Sequence, residues 1–498
     1  LKQYLRLFDF KQEVAYKTEI LSGLTVAIAL VPEAVAFALI AGLSPLVGLY
    51  AAFVMGLVTS VLGGRPGMIS GATGAVAVVI VALAQSHGVE YVFAAVVLAG
   101  LIQVGAGLLR LGKLMRLVPL PVVYGFVNGL AIIIFLSQLD QFKTPSGEWL
   151  TGPTLYTLLG LVALTMLIIW GLPRLTKAFP ASLAAIILIF ALVTALGIDT
   201  KTVGDIASIK GGFPPFHIPD LPLNMETLGI IFPYAAIVAG VGLIESLLTL
   251  ELIDEITETR GRTNKEAVAQ GLANMASGLF SGMGGCAMIG QSLINISNGA
   301  RARLSGIVAA LALLGFIMFG APLIERLPMA ALTGLMIMVA IGTFEWVSVK
   351  IFNRYPVSDI VVMLLVMLVT VLLHNLALAV LIGVVIAALV FAWDNAKRIR
   401  ARKRIDENGV KHYEIYGPLF FGSIKMFNEK FEVADDPQEV IIDFRESRIA
   451  DMSAIEAVNK LTERYHKAGK KVYLTNLSGS SHKLLLKADK VINVNVRE

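Results

Sequence analysis

A single cysteine in 498 residues, Cys286, rules out an intramolecular disulfide and fits no cysteine-based metal centre. Charge is scarce too: 15% of residues are Asp, Glu, Lys or Arg against 56% hydrophobic ones, and the mean hydropathy is +0.77. A soluble chain of this length is not so poor in charge, so most of the sequence must face lipid or other helices. The six histidines are scattered without HExxH or another metal spacing. No Walker phosphate loop occurs, which argues against an ATP-driven pump. No enzymatic centre, no metal, no cofactor beyond a coupling ion and no nucleic-acid partner is expected. The first apolar segment is a full span behind a charged lead-in, so a cleavable signal peptide is not expected either.

What the chain has in excess is long apolar sequence. Runs able to cross about 30 Å of hydrocarbon recur from Gly23 to Trp393 and then stop. They read as fourteen spans, at 20–41, 46–62, 68–84, 91–109, 118–139, 154–171, 180–197, 228–250, 266–283, 287–299, 303–320, 328–345, 358–374 and 376–393. With the N-terminus in the cytoplasm, the inside loops carry Arg65, Arg110, Lys113, Arg116, Arg174, Lys177, Arg260, Arg262, Lys265, Arg301, Arg303, Lys350 and Arg354. The outside loops carry only Lys143, Lys201, Lys210 and Arg326. Thirteen against four obeys the positive-inside rule and puts both termini in the cytoplasm. Fourteen spans divide into two sevens, the second inverted relative to the first.

Two of the spans are short and broken by glycine. GGRPGMISGATGAV (Gly63 to Val76) lies at the third, and SGMGGCAMIGQSLIN (Ser281 to Asn295) at the tenth, which is the same place in each seven. Irregular backbone at membrane depth is tolerated only where protein buries it or it lines a cavity, and paired interrupted spans mark the binding site of a transporter. Half-helices that start inside the membrane aim free N–H groups and positive dipole ends at that cavity, giving an anion site that needs no lysine or arginine. The expected substrate contacts are Gly71, Ala72 and Thr73 on one side and Ala287, Met288, Ile289, Gly290 and Gln291 on the other. Thr73 and Gln291 add side-chain donors, and Phe37 lines the cavity or belongs to the core. Small residues at these positions would also serve plain close packing of helices.

Glu33 in the first span and Glu245 in the eighth occupy corresponding spans of the two halves. A carboxylate at that depth is costly to keep charged and is a functional candidate; the alternative is a structural pairing with a backbone or hydroxyl donor. Either residue is a candidate to carry a proton, and proton and anion would each make the other cheaper to carry. Asn128, Gln138 and Gln103 read as interhelical hydrogen bonds, and Asp254, Glu255 and Glu258 as a solvated charged face.

A composition break follows. KRIRARKR (Lys397 to Arg404) ends the apolar region, as an anchor for the last span to which anionic lipid headgroups would add. Beyond it VIIDF reads as a buried strand, Ser453 to Ala468 as an amphipathic helix with Asp451 or Ser453 at its cap, and KKVYLTN as a further strand. The expected organisation is a cytoplasmic segment at 1–19, a transport domain at 20–396 with half-helices near 68–84 and 287–299, and a small α/β domain at 397–498.

At this point motifs in order along nearly the whole chain resemble the sulfate permease (SulP) family, whose animal members include the anion exchangers and prestin. They are VPEAVAFALIAGLSPLVGLYAAF, GGRPGMISGATGAVAVV, GLIESLLTLELIDEITETRGRTNKEAVAQGLANMASGLFSGM and NISNGARARLSG. HYEIYGPLFFGS with VIIDFRESRIADMSAIEAV resembles the STAS domain that follows the membrane part in that family. The resemblance implies an α-helical membrane protein with a 7+7 inverted repeat, core and gate domains, and a homodimer. It also implies an anion site between the third and tenth spans. Glu33 stands where the family's PxxxAFA motif commonly has Gln, and Gln291 resembles a position that is often Arg in animal members. Glu245 and Thr249 resemble positions that form a sodium site in some bicarbonate-transporting members. Asp451-Met452-Ser453 resembles a loop phosphorylated in bacterial anti-sigma-factor antagonists, so Ser453 is either a regulatory phosphosite or a helix cap.

The function expected is therefore secondary active transport of a small anion such as sulfate, bicarbonate or a dicarboxylate, by proton-coupled symport in a bacterial inner membrane. Sodium-coupled bicarbonate symport is the first alternative. A nucleobase permease of the same architecture, or a regulatory membrane protein whose STAS tail binds a cytoplasmic partner, are the others.

Overall fold

The computed structural model describes residues 15–482 apart from 113–117, 145, 176–180, 206–211, 223, 351–353, 355, 374–375 and 480. Most of the N-terminal segment, the last residues of the α/β domain and the loop cations Lys113, Arg116, Lys177 and Lys210 therefore lie outside the described residues. Contacts divide the chain into two units, Leu1–Val384 and Val385–Glu498.

Each of the fourteen apolar stretches holds a helix. In the first half these are α1 (Tyr16–Ile40), α2 (Pro45–Leu62), α3 (Gly74–His87), α4 (Val89–Leu108), α5 (Leu120–Gln138), α6 (Gly152–Leu175) and α7 (Ala181–Leu196). In the second they are α8 (Met225–Thr257), α9 (Thr263–Leu279), α10 (Ile289–Ser297), α11 (Leu304–Phe319), α13 (Met329–Thr343), α15 (Val357–Leu373) and α16 (Leu376–Ala396). Short helices α12 (Ala321–Glu325) and α14 (Trp346–Lys350) flank α13. Among the described residues α1, α2, α4, α5 with its extension to Phe142, α6 and α8 are long and apolar enough to cross a bilayer by length and composition.

These helices pack in two groups. The α1–α4 set interleaves with α8–α11: α4 lies on α8 and α9, α2 on α9 and α11, and α1 on α11. Glycine sets the closest of these approaches. A Cβ added at Gly100 of α4 would sit 2.4 Å from the Gly271 carbonyl oxygen, and one at Gly271 of α9 would sit 2.5 Å from that of Gly100. The second group joins α5 to α13 and α15, and α6 to α7 and α13. Gln103 and Asn128 make the interhelical bonds expected of them: Asn274 donates to Gln103, Gln103 to the Ala239 carbonyl, and Asn128 to Ser348. Gln138 instead donates within α5, to the Ile134 carbonyl and Ser137.

The breaks are extended where a helical start was expected. Two-residue strands β1 (Ser70–Gly71) and β2 (Cys286–Ala287) pair antiparallel, with Ser70 opposite Ala287 and Gly71 opposite Cys286. The helices therefore begin later than the apolar runs, α3 at Gly74 and α10 at Ile289. Because the strands are antiparallel, the two half-helices start side by side and leave in opposite directions. Gly285 permits the pairing, since a Cβ there would lie 1.9 Å from the Gly71 carbonyl oxygen. Gly285→Ala is expected to cost about 3 kcal/mol or more through overpacking against backbone. A lowered midpoint of thermal unfolding for the full-length chain in detergent checks it; an unchanged midpoint contradicts the pairing.

In the second unit a four-stranded sheet has the order β3-β4-β5-β6, from β3 (Arg400–Ile405), β4 (Lys411–Tyr416), β5 (Glu439–Glu446) and β6 (Lys471–Thr475). β3 and β4 are antiparallel, while β4–β5 and β5–β6 are parallel. With α17 (Ile424–Asn428) and α18 (Met452–Lys467) the sheet encloses a core that includes Tyr413, Phe427, Phe444, Val458 and Tyr465. Most of the basic run is thus an edge strand rather than a bare anchor, and its exposed Arg and Lys side chains discourage pairing with a further strand. Asp436, with a fully buried side chain, holds Lys411 Nζ at 2.5 Å and accepts from the Tyr413 and Tyr465 hydroxyls. Burial and then Asp436 push the Tyr465 phenol well above its ordinary value. Burial disfavours the Lys411 charge, but hydrogen bonds to Asp436, Tyr413 and Glu432 outweigh it and raise the ammonium.

Candidate functional site

The site forms where α1 and α8 pass the β1–β2 pair. Thr73 is the residue before α3, and the first intrahelical bond there runs from Ala77 N–H to the Thr73 carbonyl. In α10 it runs from Ser292 N–H to the Met288 carbonyl. The N–H groups of Gly74, Ala75 and Val76, and of Ile289, Gly290 and Gln291, thus have no intrahelical acceptor and carry the positive ends of two helices. Space lies in front of α10: Ile289 is 37% exposed and a Cβ added at Gly290 meets nothing within 4 Å. On the α3 side the wall is closed. Ala72 and Thr73 are buried, Met288 Sδ would stand 3.1 Å from a Cβ at Gly71, and the Phe37 ring would stand 2.8 Å from one at Gly74.

Both carboxylates reach the breaks. Gln291 of α10 donates its Nε2–H to Glu33 Oε2 of α1. Cys286 of β2 donates its thiol to Glu245 Oε2 of α8 at 2.9 Å, and Thr73 Oγ1 lies 3.2 Å from the same sulfur. Thr249 is less directly engaged. Its hydroxyl bonds back to the Glu245 backbone carbonyl at 2.8 Å, so the two residues do not converge through their side chains. The structure therefore brings together Glu33, Phe37, Gly71, Ala72, Thr73, Glu245 and Ala287 to Gln291, all in the first unit. Ser453 lies in the second unit at the second residue of α18, exposed. It is not the helix cap: the Asp451 carboxylate accepts from Ala454 N–H at 2.8 Å.

Several residues that hold the site were not singled out from sequence. Asn274 of α9 clamps the second break, donating to the Gly285 carbonyl at 3.1 Å and accepting from Gly285 N–H at 2.9 Å. Gln270, one turn earlier, donates to Ser70 of β1 at 2.8 Å, and Ser277 accepts from Gly284 N–H. Ser246 of α8 accepts from Ala287 N–H at 3.0 Å. Asn295 of α10 donates to the Gly67 carbonyl and accepts from Ser22 of α1. The signal was in the spacing, because Gln270, Asn274 and Ser277 recur at four and three residues among the small and apolar residues of Ala267–Leu279. Asp254 is also more than a solvated charge: it pairs with the buried Arg65 at 3.1 Å and accepts from Gly261 N–H. Burial lowers the Arg65 guanidinium from its ordinary value, and Asp254 works against that shift.

Comparison with known proteins gives this arrangement a lineage. YbaR of Bacillus subtilis (strain 168), assigned by name to sulfate transport, is 41% identical over 469 residues, covering 94% of this chain and 96% of the relative. The bicarbonate transporter BicA of Picosynechococcus sp. is 30% identical over 515 residues, 94% of this chain and 90% of its own. The solved transmembrane domain of a cyanobacterial BicA superposes with a TM-score of 0.64 over 76% of this chain and 98% of its own. Murine Solute Carrier 26 family member A9 shares the fold, with a TM-score of 0.82 at 18% identity over 98% of this chain and 89% of its own. Residues 402–495 match the STAS domain, and residues 16–366 match the sulfate permease family. The chain belongs to the sulfate permease family of anion transporters and carries a C-terminal STAS domain.

Proposed function

We propose that this chain carries a small oxyanion, sulfate or bicarbonate, by alternating access in symport with a proton. The observation that carries the reading is the Gln291–Glu33 hydrogen bond. While Glu33 is charged it holds the Gln291 amide N–H. Once Glu33 takes a proton, that donor is released toward an anion in front of α10, beside the free N–H groups of both half-helices. Charge balance works the same way, since proton and anion neutralise each other in a site without lysine or arginine. Glu245 is the second candidate for the proton. Its side-chain partner is a thiol, whereas a sodium ion requires several oxygen ligands, and this favours the proton over the sodium reading at Glu245 and Thr249.

The loop charges support cytoplasmic termini, and similarity to a Bacillus subtilis relative supports a bacterial cell membrane. The family supports a homodimer with a STAS domain open to a cytoplasmic partner, and the exposed Ser453 fits a phosphorylation site beside a helix N-terminus. The experiment that tests the reading is uptake of labelled sulfate, bicarbonate, fumarate and uracil into proteoliposomes, with and without pH and sodium gradients. External acid should accelerate uptake of an oxyanion, with sodium without effect. Acceleration by sodium alone would replace the proton reading, and uptake of uracil alone would replace the anion reading.

A further inference from the structure

At the ends of α1, α3 and α5 and the start of α13 lies a cavity of about 190 Å³, apart from the site above. Its polar lining comes from Gln85, Ser137, Gln138, Gln141 and Thr333, with Asp140 at the rim. Thr333 is 1% exposed, and its hydroxyl has no hydrogen-bond partner. That is unusual in this chain. Thr59, Thr165, Thr249 and Thr257, all helical, return their hydroxyls to the carbonyl four residues earlier. Thr370 is a second exception, and it packs against Gly129 at the α5–α15 contact instead of lining a cavity.

The surroundings select the ligand. Thr333 stands in the second turn of α13, whose first residues, Met329 and Leu332, also line the cavity, so the positive end of a 15-residue helix faces it. Gln85 and Gln141 contribute amide donors, while the Gln138 amide is spent on Ile134 and Ser137 within α5. The carboxylate at the rim is 70% exposed and held by Lys143 Nζ at 2.8 Å, leaving no free acid inside. The hydroxyls and amides can serve either sign of charge; the positive end of α13, with the one carboxylate already paired to Lys143, decides for an anion.

The cavity also lies on a line with the deeper site. Ile40 lines it seven residues beyond Glu33 on α1, about 10 Å at 1.5 Å per residue. Between them Phe37 and Ile134 close over Gly74, where an added Cβ would meet their side chains at 2.8 and 3.0 Å. We propose that the cavity is an outer waypoint for the transported oxyanion, bound by the Thr333 hydroxyl, the Gln85 and Gln141 amides and the start of α13, with Phe37 and Ile134 as the barrier to the deeper site. The inference rests on the oxyanion-carrier reading.

Thiol modification tests it without relying on transport. Cys286 is fully buried, so Thr333→Cys in the full chain offers a single reachable thiol. Intact cells are treated with a sulfonate-bearing or a trimethylammonium-bearing methanethiosulfonate, and the purified protein is read by mass. Relative to reactivity with a free thiol, the anionic reagent should react about tenfold faster than the cationic one, and millimolar sulfate should slow it. Absence of reaction, or reaction blind to reagent charge and to sulfate, would mean a water-filled or closed cavity and overturn the waypoint. If Thr333→Cys does not fold, Gln141→Cys, which lines the same cavity, gives the same readout. Sulfate protection in a protein that carries no oxyanion would support the cavity as an anion site and reject the carrier reading instead.

Discussion

Gln291→Glu is expected to abolish oxyanion uptake while leaving the protein folded and membrane-inserted. The side chain is buried in the first turn of α10, at hydrogen-bond distance from Glu33 and next to the exposed Ile289 and Gly290, so a carboxylate there would face both Glu33 and the anion. Two unit charges 4 Å apart at an effective dielectric of 20 repel by about 4 kcal/mol, a factor of roughly a thousand in affinity. Gln291→Leu separates repulsion from loss of a donor. Removing one hydrogen bond to a charged group costs about 1.5–3 kcal/mol, so this variant should lose roughly ten- to a hundredfold and keep measurable uptake. Sulfate binding followed calorimetrically, with elution volume on gel filtration as the folding control, gives the comparison. Equal affinity in wild type and Gln291→Glu would place the anion elsewhere in the chain.

The reason Gln291 was legible in sequence is that glycine density has a physical meaning inside an apolar span. Gly63 to Val76 and Ser281 to Asn295 cannot be continuous helix, and equal placement in two halves makes coincidence a poor explanation. What periodicity does not carry is partnership across the fold. Cys286 counted only as an unpaired thiol, yet it joins Glu245 to the Thr73 hydroxyl. Asn274 and Gln270 sat in a stretch read only as an apolar span, although their spacing put a polar stripe along it. The helix starts were placed early because Ile69 and Ala287 look like helix interior; an antiparallel pair of two residues leaves almost no pattern to read. The basic run misled for a related reason. Arg400 to Arg404 has no apolar alternation, since one face of an edge strand is solvated and only Ala401 turns toward the core.

Two carboxylates wired to two breaks make opposite predictions for their neutral variants. With the membrane potential clamped, each unit of inward pH gradient supplies about 1.4 kcal/mol per proton, or a tenfold accumulation of an anion carried one-to-one. Glu33→Gln fixes the neutral form, so the Gln291 amide is never drawn to a charged partner and anion binding persists. The accumulation should then fall to a ratio of about one, with downhill exchange of labelled anion retained. If Glu245 is the coupling group instead, Glu245→Gln shows that behaviour and Glu33→Gln still concentrates the anion. A sodium site gives a third pattern: Glu245→Gln and Thr249→Ala both lose dependence on sodium, and acid outside matters little. Thr249→Ala removes only a hydroxyl bonded back to its own helix, so under proton coupling it should behave as wild type. Uptake indifferent to both gradients in wild type, and unchanged in both glutamine variants, would deny either carboxylate a coupling role and leave passive movement of the anion through the same two half-helices.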